Sequence, residues 1–274
     1  MSRHEPPLVM GIVNVTPDSF SDGGRFLATD DAVAHGHRLL ADGADILDIG
    51  GESTRPGATR PLVEDELARV VPVISELAAA GAVVSVDTMR AEVAEAAIAA
   101  GATIVNDVSG GLADPRILDI TAAGGATYVV MHWRGHSDRM QQLASYDGPG
   151  GVVAAVRDEL AERIDAARAA GIAEDRLVLD PGLGFSKTAD HNWQLLAGLA
   201  ELSHGLPVLV GASRKAFLGH LLSDAEGTPR PVAERESAHT ALVALLAERG
   251  VWGLRVHDVR AATDALAVVR RLRS

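Results

Sequence analysis

Short runs of apolar, β-branched residues alternate eight times with longer stretches rich in Ala, Leu, Glu and Arg at helical spacing. No other feature narrows the accessible folds as much. Strands buried on both faces read as short continuous apolar runs, whereas helices repeat their apolar positions every three to four residues. On this basis strands are predicted at Val9–Val15, Ile46–Ile49, Val83–Asp87, Thr103–Asp107, Thr127–Met131, Leu177–Leu179, Val208–Val210 and Gly253–Val256. Helices are predicted at Asp31–Asp42, Val63–Ala80, Ala91–Ala100, Pro115–Ala123, Val152–Ala170, Asp190–Leu199, Val232–Glu248 and Val259–Leu272. Gly43, Gly81, Gly101, Gly171 and Gly250 each stand between a helix and the next strand, where a glycine closes a helix most easily. Eight βα units predict an α/β fold, the (β/α)8 TIM barrel, as a single domain over residues 1–274 with a short N-terminal extension, residues 1–7. A doubly wound open sheet is the alternative. No G-x-G-x-x-G turn follows the first strand, which disfavours its dinucleotide-binding form.

The 274 residues suit one barrel, and 47% hydrophobic residues supply its core. A net charge of −12 argues against nucleic acid as a partner, because a phosphate backbone demands basic surface. With no Cys, disulfides and thiolate metal sites are excluded. Met1–Pro7 has no basic stretch leading into an apolar run, and no apolar segment is long enough to span a bilayer. Neither a signal peptide nor a membrane partner is expected, and the cytoplasm is the expected location. Among 25 basic residues only Lys187 and Lys215 are lysines, and both fall in the richest motifs of the chain.

Chemistry in such barrels sits where the strands end and the βα loops begin. Each predicted strand delivers a polar side chain there: Asn14, the Glu52–Arg55 run, Asp87, Asn106, His132, Asp180, the Ser213–Lys215 run, and Arg255 with His257. A single Asp or Asn in this place is ordinarily the cap of the next helix. Eight in register, including Lys, Arg and His, are not explained by capping. Asp87, Asn106 and Asp180 offer carboxylates and an amide to a flat heterocycle rich in N–H donors. Lys215 can donate to a ring carbonyl or nitrogen, and Arg255 can stack on the ring. Arg55, Arg255 and His257 form an anion clamp suited to phosphate. Asn14 is a neutral oxygen ligand of the kind that serves Mg2+ held mainly by water and substrate phosphates. A hydrolytic metal centre fits less well. The first strand ends Asn14-x-Thr16 rather than His-x-His, His35 and His37 fall within a helix, and of the pair His132 and His136 one lies at a strand end and the other in a loop. No Gly-x-Ser-x-Gly elbow is present, so the site reads as one that binds and polarises without a covalent intermediate.

Taken in order, these motifs resemble those of the dihydropteroate synthases. The resemblance rests on Asn14–Gly24, Asp48–Gly57, Ser85–Thr88, Asn106-Asp107, Asp180–Lys187, Ser213–Lys215 and Arg255–His257, and it spans about Leu8 to Arg270. It implies an enzyme that joins a dihydropterin pyrophosphate to p-aminobenzoate, by loss of pyrophosphate to a pterin cation and attack of the aromatic amine. It implies that Asp87, Asn106, Asp180 and Lys215 hold the pterin under Arg255, and that Asp87, Asp180, Lys215 and Arg255 carry the catalysis. Asn14 would bind Mg2+, with Arg55 and His257 on the leaving group and Val256 beside them in the substrate site. Thr54, Pro56, Phe185 and Lys187 would shape the aminobenzoate pocket. A homodimer built from barrel helices is also implied. Many members carry a small hydroxylic residue after the lysine of strand 7, where this chain has Ala216.

The loops Thr16–Arg25 and Ser53–Arg60 are rich in Gly, Ser, Asp and Pro, and are expected to close over the first substrate before aminobenzoate binds. Two other readings stand beside this one. A pterin-binding methyltetrahydrofolate methyltransferase would share the ring-binding acids and amide but needs no diphosphate clamp. A non-catalytic paralogue should have lost some of the residues above, and none of the principal set is missing.

Overall fold

The structure is a computed structural model whose described residues are 6–16, 25–52, 60–136 and 140–274, without the side chains of 25–28, 140 and 141. Among them, parallel strands β1 (Leu8–Asn14), β2 (Ile46–Gly50), β3 (Val84–Asp87), β4 (Ile104–Asp107), β5 (Thr127–Met131), β6 (Leu177–Asp180), β7 (Leu209–Val210) and β8 (Gly253–Val256) form one sheet. Their order is β6-β5-β4-β3-β2-β1-β8-β7. A parallel bridge between Leu179 and Val208, with a 2.8 Å bond from Leu179 N to Pro207 O, links the two outer strands and rounds the sheet into a nearly closed barrel.

The helices are α1 (Arg25–Ala41), α2 (Val63–Ala79), α3 (Ala91–Ala99), α4 (Arg116–Gly124), α5 (Gly151–Ala169), α6 (Ala189–Ala197), α7 (Leu199–Leu202), α8 (Ala216–Leu221), α9 (Glu236–Glu248) and α10 (Val259–Arg273). Several carry their own start and stop signals. Glu64, Asp65 and Glu66 crowd the first turn of α2, where the helix dipole favours negative charge. Asp258 caps α10 by accepting from Ala261 N at 2.9 Å, and Arg270, Arg271 and Arg273 occupy its last turn. Gly43, Gly81, Gly101, Gly171 and Gly250 all have positive φ, as C-terminal caps do. The predicted helix Asp190–Leu199 is instead broken at Gly198 into α6 and α7. The one predicted from Val232 begins at Glu236, after a 3-10 turn at Val232–Glu234. Helix α8 was not predicted: its six residues are too few to show a helical period. No helix among the described residues is long and apolar enough to cross a membrane.

Successive side chains of a strand point to opposite faces of the sheet. One set, including Val9, Val13, Leu47, Ile49, Val86, Val105, Val130, Leu179 and Val256, packs in the main core with the helices. The other set fills the barrel. Met10, Ile46, Ile104, Val129, Val178 and Leu209 form a buried apolar layer inside it. Two residues further along the same strands, at the same parity, the interior becomes polar: Ile46 is followed by Asp48, Ile104 by Asn106, and Val178 by Asp180.

Candidate active site

The polar layer is organised around Arg255, half-buried on β8. Its Nε donates to Asp48 Oδ2 at 2.6 Å and its Nη2 to Asp87 Oδ2 at 2.7 Å. Asp48 Oδ2 also accepts from Asn106 Nδ2 at 3.0 Å. A carboxylate can only accept, so Asn106 must turn its amino group towards Asp48 and present its carbonyl oxygen elsewhere. Burial raises the Asp87 carboxyl to about 7, with Arg255 opposing and Asp48 reinforcing. Burial works against the charge on Arg255, but Asp48 and Asp87 outweigh it and raise its pKa.

Asp180 and Lys215 form the facing wall. Asp180 Oδ1 accepts from Gly182 N at 2.7 Å, which leaves Oδ2 as the acceptor for a ligand. Lys215 donates to Leu183 O, and its Nζ lies 5.0 Å from the centre of the Phe185 ring. Burial raises Asp180, against the pull of Lys215. Burial also lowers Lys215 to about 8, against the pull of Asp180. Lys215 reaches this position because Arg214 takes a left-handed backbone with φ of 63°, its carbonyl held by Arg235 Nη1 at 3.0 Å. The turn after β6 depends on Gly182: φ is 65°, and a Cβ there would lie 2.2 Å from His132 O. Any side chain would expel this loop from its place.

Beyond the facing walls, Met89, Val108 and Met131 make an apolar patch with Trp133, Ala113 and Phe185 packed on it. The opening therefore offers acceptors, two cations and an apolar floor, the composition expected for a flat, amino-substituted heterocycle. An open groove of about 760 Å3 at the other end of the barrel is bounded by Leu8, Leu206, Pro207, Arg249 and Trp252 among others. Among the described residues its one charged lining side chain is Arg249, so it lacks the converging groups that catalysis needs.

Residues 10–257 match the model of the pterin binding enzyme family. Dihydropteroate synthase of Mycobacterium leprae is 55% identical over 267 residues, covering 96% of this chain and 93% of that protein. The chain belongs to the dihydropteroate synthase family. Two solved structures of the Xanthomonas albilineans dihydropteroate synthase align closely. The one with 4-aminobenzoic acid has 48% identity, covers 98% of this chain and 94% of the other, and gives a TM-score of 0.88. The complex with 7,8-dihydropteroate has 45% identity, covers 98% and 95%, and gives 0.84.

Against the family pattern, the residues named from the sequence other than Asn14 and Phe185 fall into three groups, with Arg255 in two of them. Asp87, Asn106, Asp180, Lys215 and Arg255 meet at the mouth as described. A second group is present but turned differently from expectation. Val256 sends its side chain into the main core, on the opposite face from Arg255, so it offers the site backbone only. Lys187 is buried with its Nζ on His132 Nδ1 (2.8 Å) and Phe185 O (2.9 Å), beneath the pocket wall rather than on its surface. Arg255 is engaged with two carboxylates, so its first duty here is to neutralise acids rather than to clamp phosphate. His257 stands at the rim, its Nδ1 3.0 Å from Ser213 Oγ, which also accepts from its backbone N–H at 3.2 Å. The third group, Thr54, Arg55 and Pro56, lies outside the described residues, as do most of both loops expected to close. The stem of the second loop is described: Gly51 O accepts from Arg69 Nη1 at 2.9 Å and Pro61 O from Arg90 Nη2 at 2.5 Å.

Asp48 and Met131 were missed as site residues. Parity would have found both, since each lies two positions beyond an interior apolar residue, Ile46 and Val129. Of the two histidines weighed as metal ligands, His132 has both ring nitrogens occupied by Lys187 and Glu159, and His136 packs edge-on against Trp133.

Among the described residues no cluster of three or more His, Asp or Glu could hold a metal ion. Asn14 stays compatible with Mg2+ in a narrower way. It is half-buried at the end of β1, beside Gly50 and one strand from Asp87, and its carboxamide makes no hydrogen bond within the described residues. One neutral oxygen suits an ion held mostly by water and substrate phosphate.

Proposed function

We propose that the chain condenses 6-hydroxymethyl-7,8-dihydropterin pyrophosphate with p-aminobenzoate, giving 7,8-dihydropteroate and pyrophosphate. The observation that carries this reading is the convergence of Asp87, Asn106, Asp180, Lys215 and Arg255 around an apolar floor, in a chain of this family. Asp180 Oδ2 and the Asn106 carbonyl accept from the amino-pyrimidinone edge of the pterin, and Lys215 donates to its ring oxygen or nitrogen. The C–O bond to the diphosphate breaks with its electron pair leaving on oxygen. The positive charge left on the pterin methylene faces Asp87 and Asp180, which stabilise it without reorganising. The arylamine nitrogen then forms the new C–N bond and releases a proton.

Asn14 would hold Mg2+, which when bound supplies neutralisation of the departing diphosphate. Arg55 and His257 are assigned to that leaving group, and Thr54, Pro56 and Phe185 to the aminobenzoate pocket. Exposed Leu221, Val232, Leu245, Val268 and Leu272, on or beside α8 to α10, support the homodimer implied by the resemblance. A cytoplasmic location belongs to the same reading.

Pyrophosphate release measured with both substrates tests the activity. Release that requires p-aminobenzoate is expected. None would favour the paralogue, and methyl transfer from a tetrahydrofolate in its place would favour the methyltransferase. Turnover is also expected to stop in EDTA and return with Mg2+. Asn14→Ala should lower kcat more than it weakens pterin binding, and Mg2+ should bind measurably by calorimetry only when pyrophosphate is present. Full activity after exhaustive chelation would refute the metal assignment.

A further inference from the structure

Under the Phe185 wall lies a group of charged side chains that the proposed chemistry does not use. Glu159, half-buried on α5, accepts from Arg134 through Nε at 2.9 Å and through Nη2, and it meets His132 Nε2 at 3.0 Å. Since the carboxylate only accepts, His132 carries its proton on Nε2, and its Nδ1 accepts from Lys187 Nζ at 2.8 Å. Burial, then the neighbouring Lys187, lowers His132 to about 4, which keeps the ring in this neutral form near pH 7. Lys187 also donates to Phe185 O at 2.9 Å. These two acceptors need two N–H bonds, which the amine has in either charge state.

A second line of contacts leaves the same carboxylate. The Arg134 guanidinium lies 4.0 Å over the Tyr146 ring, and Tyr146 Oη donates to Ser186 O at 3.0 Å. Arg134 also donates to Ser145 O at 2.7 Å, fixing the chain that carries Tyr146. Both lines end on consecutive carbonyls of the β6–α6 loop. That segment needs restraint, because Ser186 holds φ of 50°, costly for a residue with a side chain, and its buried hydroxyl has no partner among the described residues. The neighbouring loop groups are tied from elsewhere: Gly182 N to Asp180, Leu183 O to Lys215, and Gly184 N to Asn192 Oδ1 at 2.6 Å.

We propose that Glu159 is a positioning residue for the aminobenzoate side of the site, acting through His132–Lys187 and Arg134–Tyr146 on the Phe185–Ser186 peptide and so on the Phe185 ring. The assignment rests on the activity proposed above. Among the described residues Glu159 makes no hydrogen bond to the side chains placed on the pterin, so its loss should act first on the aminobenzoate side. Its partial exposure at the helix surface lets it be replaced without opening the core.

Steady-state kinetics of the wild type, Glu159→Ala, Phe185→Ala and the double variant provide the test. Glu159→Ala is expected to raise KM for p-aminobenzoate about tenfold, with kcat and the KM for pterin pyrophosphate within about twofold. The double variant should be no more than about twofold worse in aminobenzoate KM than Phe185→Ala alone, because the two residues act on one contact. Glu159→Gln, which keeps one acceptor, should fall between alanine and wild type, and it carries the test if alanine proves unstable. An unchanged aminobenzoate KM, an equal rise for both substrates, or effects that multiply in the double variant would each overturn the assignment. A wild-type chain that releases no pyrophosphate would overturn the activity itself, and the assignment with it.

Discussion

Replacing Arg255 with Met is expected to destabilise the protein by about 3–5 kcal/mol, the usual result of removing one partner from a buried ion pair. Asp48 is fully buried and its second oxygen, Oδ1, already lacks a partner among the described residues, so the guanidinium is its main compensation. Asp87 loses its donor at the same time. The loss should depend on pH, and its sign follows from Asp87. A carboxyl raised in the folded state, here from the usual 3.8 to about 7, contributes stability that is complete below the unfolded value and disappears as pH rises through the folded one. Without Arg255 the folded value moves higher still. Well below pH 7 Asp87 is protonated in both proteins, so what the variant lacks is the Asp48 ion pair and one hydrogen bond to a neutral carboxyl. Above pH 7 the wild type ionises against Arg255 while the variant resists, so the difference widens. Thermal melts at pH 6 and 8.5 should show a deficit of roughly 10 °C that is larger at the higher pH. A Tm within 2 °C of wild type at both values would refute the role given to Arg255. A pH-independent deficit would refute the link to Asp87.

Asp180→Asn should weaken binding of a pterin by about 2–4 kcal/mol, or roughly 30- to 1000-fold. The structure sharpens the reason. Gly182 N–H already takes Oδ1 at 2.7 Å, so the substituted amide must keep its oxygen there and turn its amino group to the ligand. An acceptor is thereby replaced by a donor facing the N–H edge of the pterin. The loss therefore exceeds that of one neutral hydrogen bond. Fold stability should suffer less than affinity, because burial already penalises the Asp180 charge. Calorimetric titration of 6-hydroxymethylpterin into both proteins decides the point. Unchanged affinity would remove Asp180 from the ring pocket.

The sequence by itself determined the barrel, the place of its mouth and the family. All three are written in local signals: apolar runs of strand length, helical periods ended by glycine, and a polar residue after each strand. Asp87, Asn106 and Asp180 were legible because each stands at a strand end, and Lys215 because it lies in the loop after β7, where the fold class alone predicts chemistry. The tertiary structure decided how these side chains are paired. Asp48 holds both Arg255, 207 residues away, and Asn106, 58 residues away, and no local pattern encodes a contact across such separations. Val256 can serve the site through its backbone alone, because adjacency to Arg255 in sequence is opposition in a strand, so one side chain faces the barrel and the other the helices. Lys187 was read as a pocket residue from its motif. The left-handed backbone at Ser186 turns it beneath the wall, where His132 and the Phe185 carbonyl offer it acceptors that only the closed barrel brings within reach.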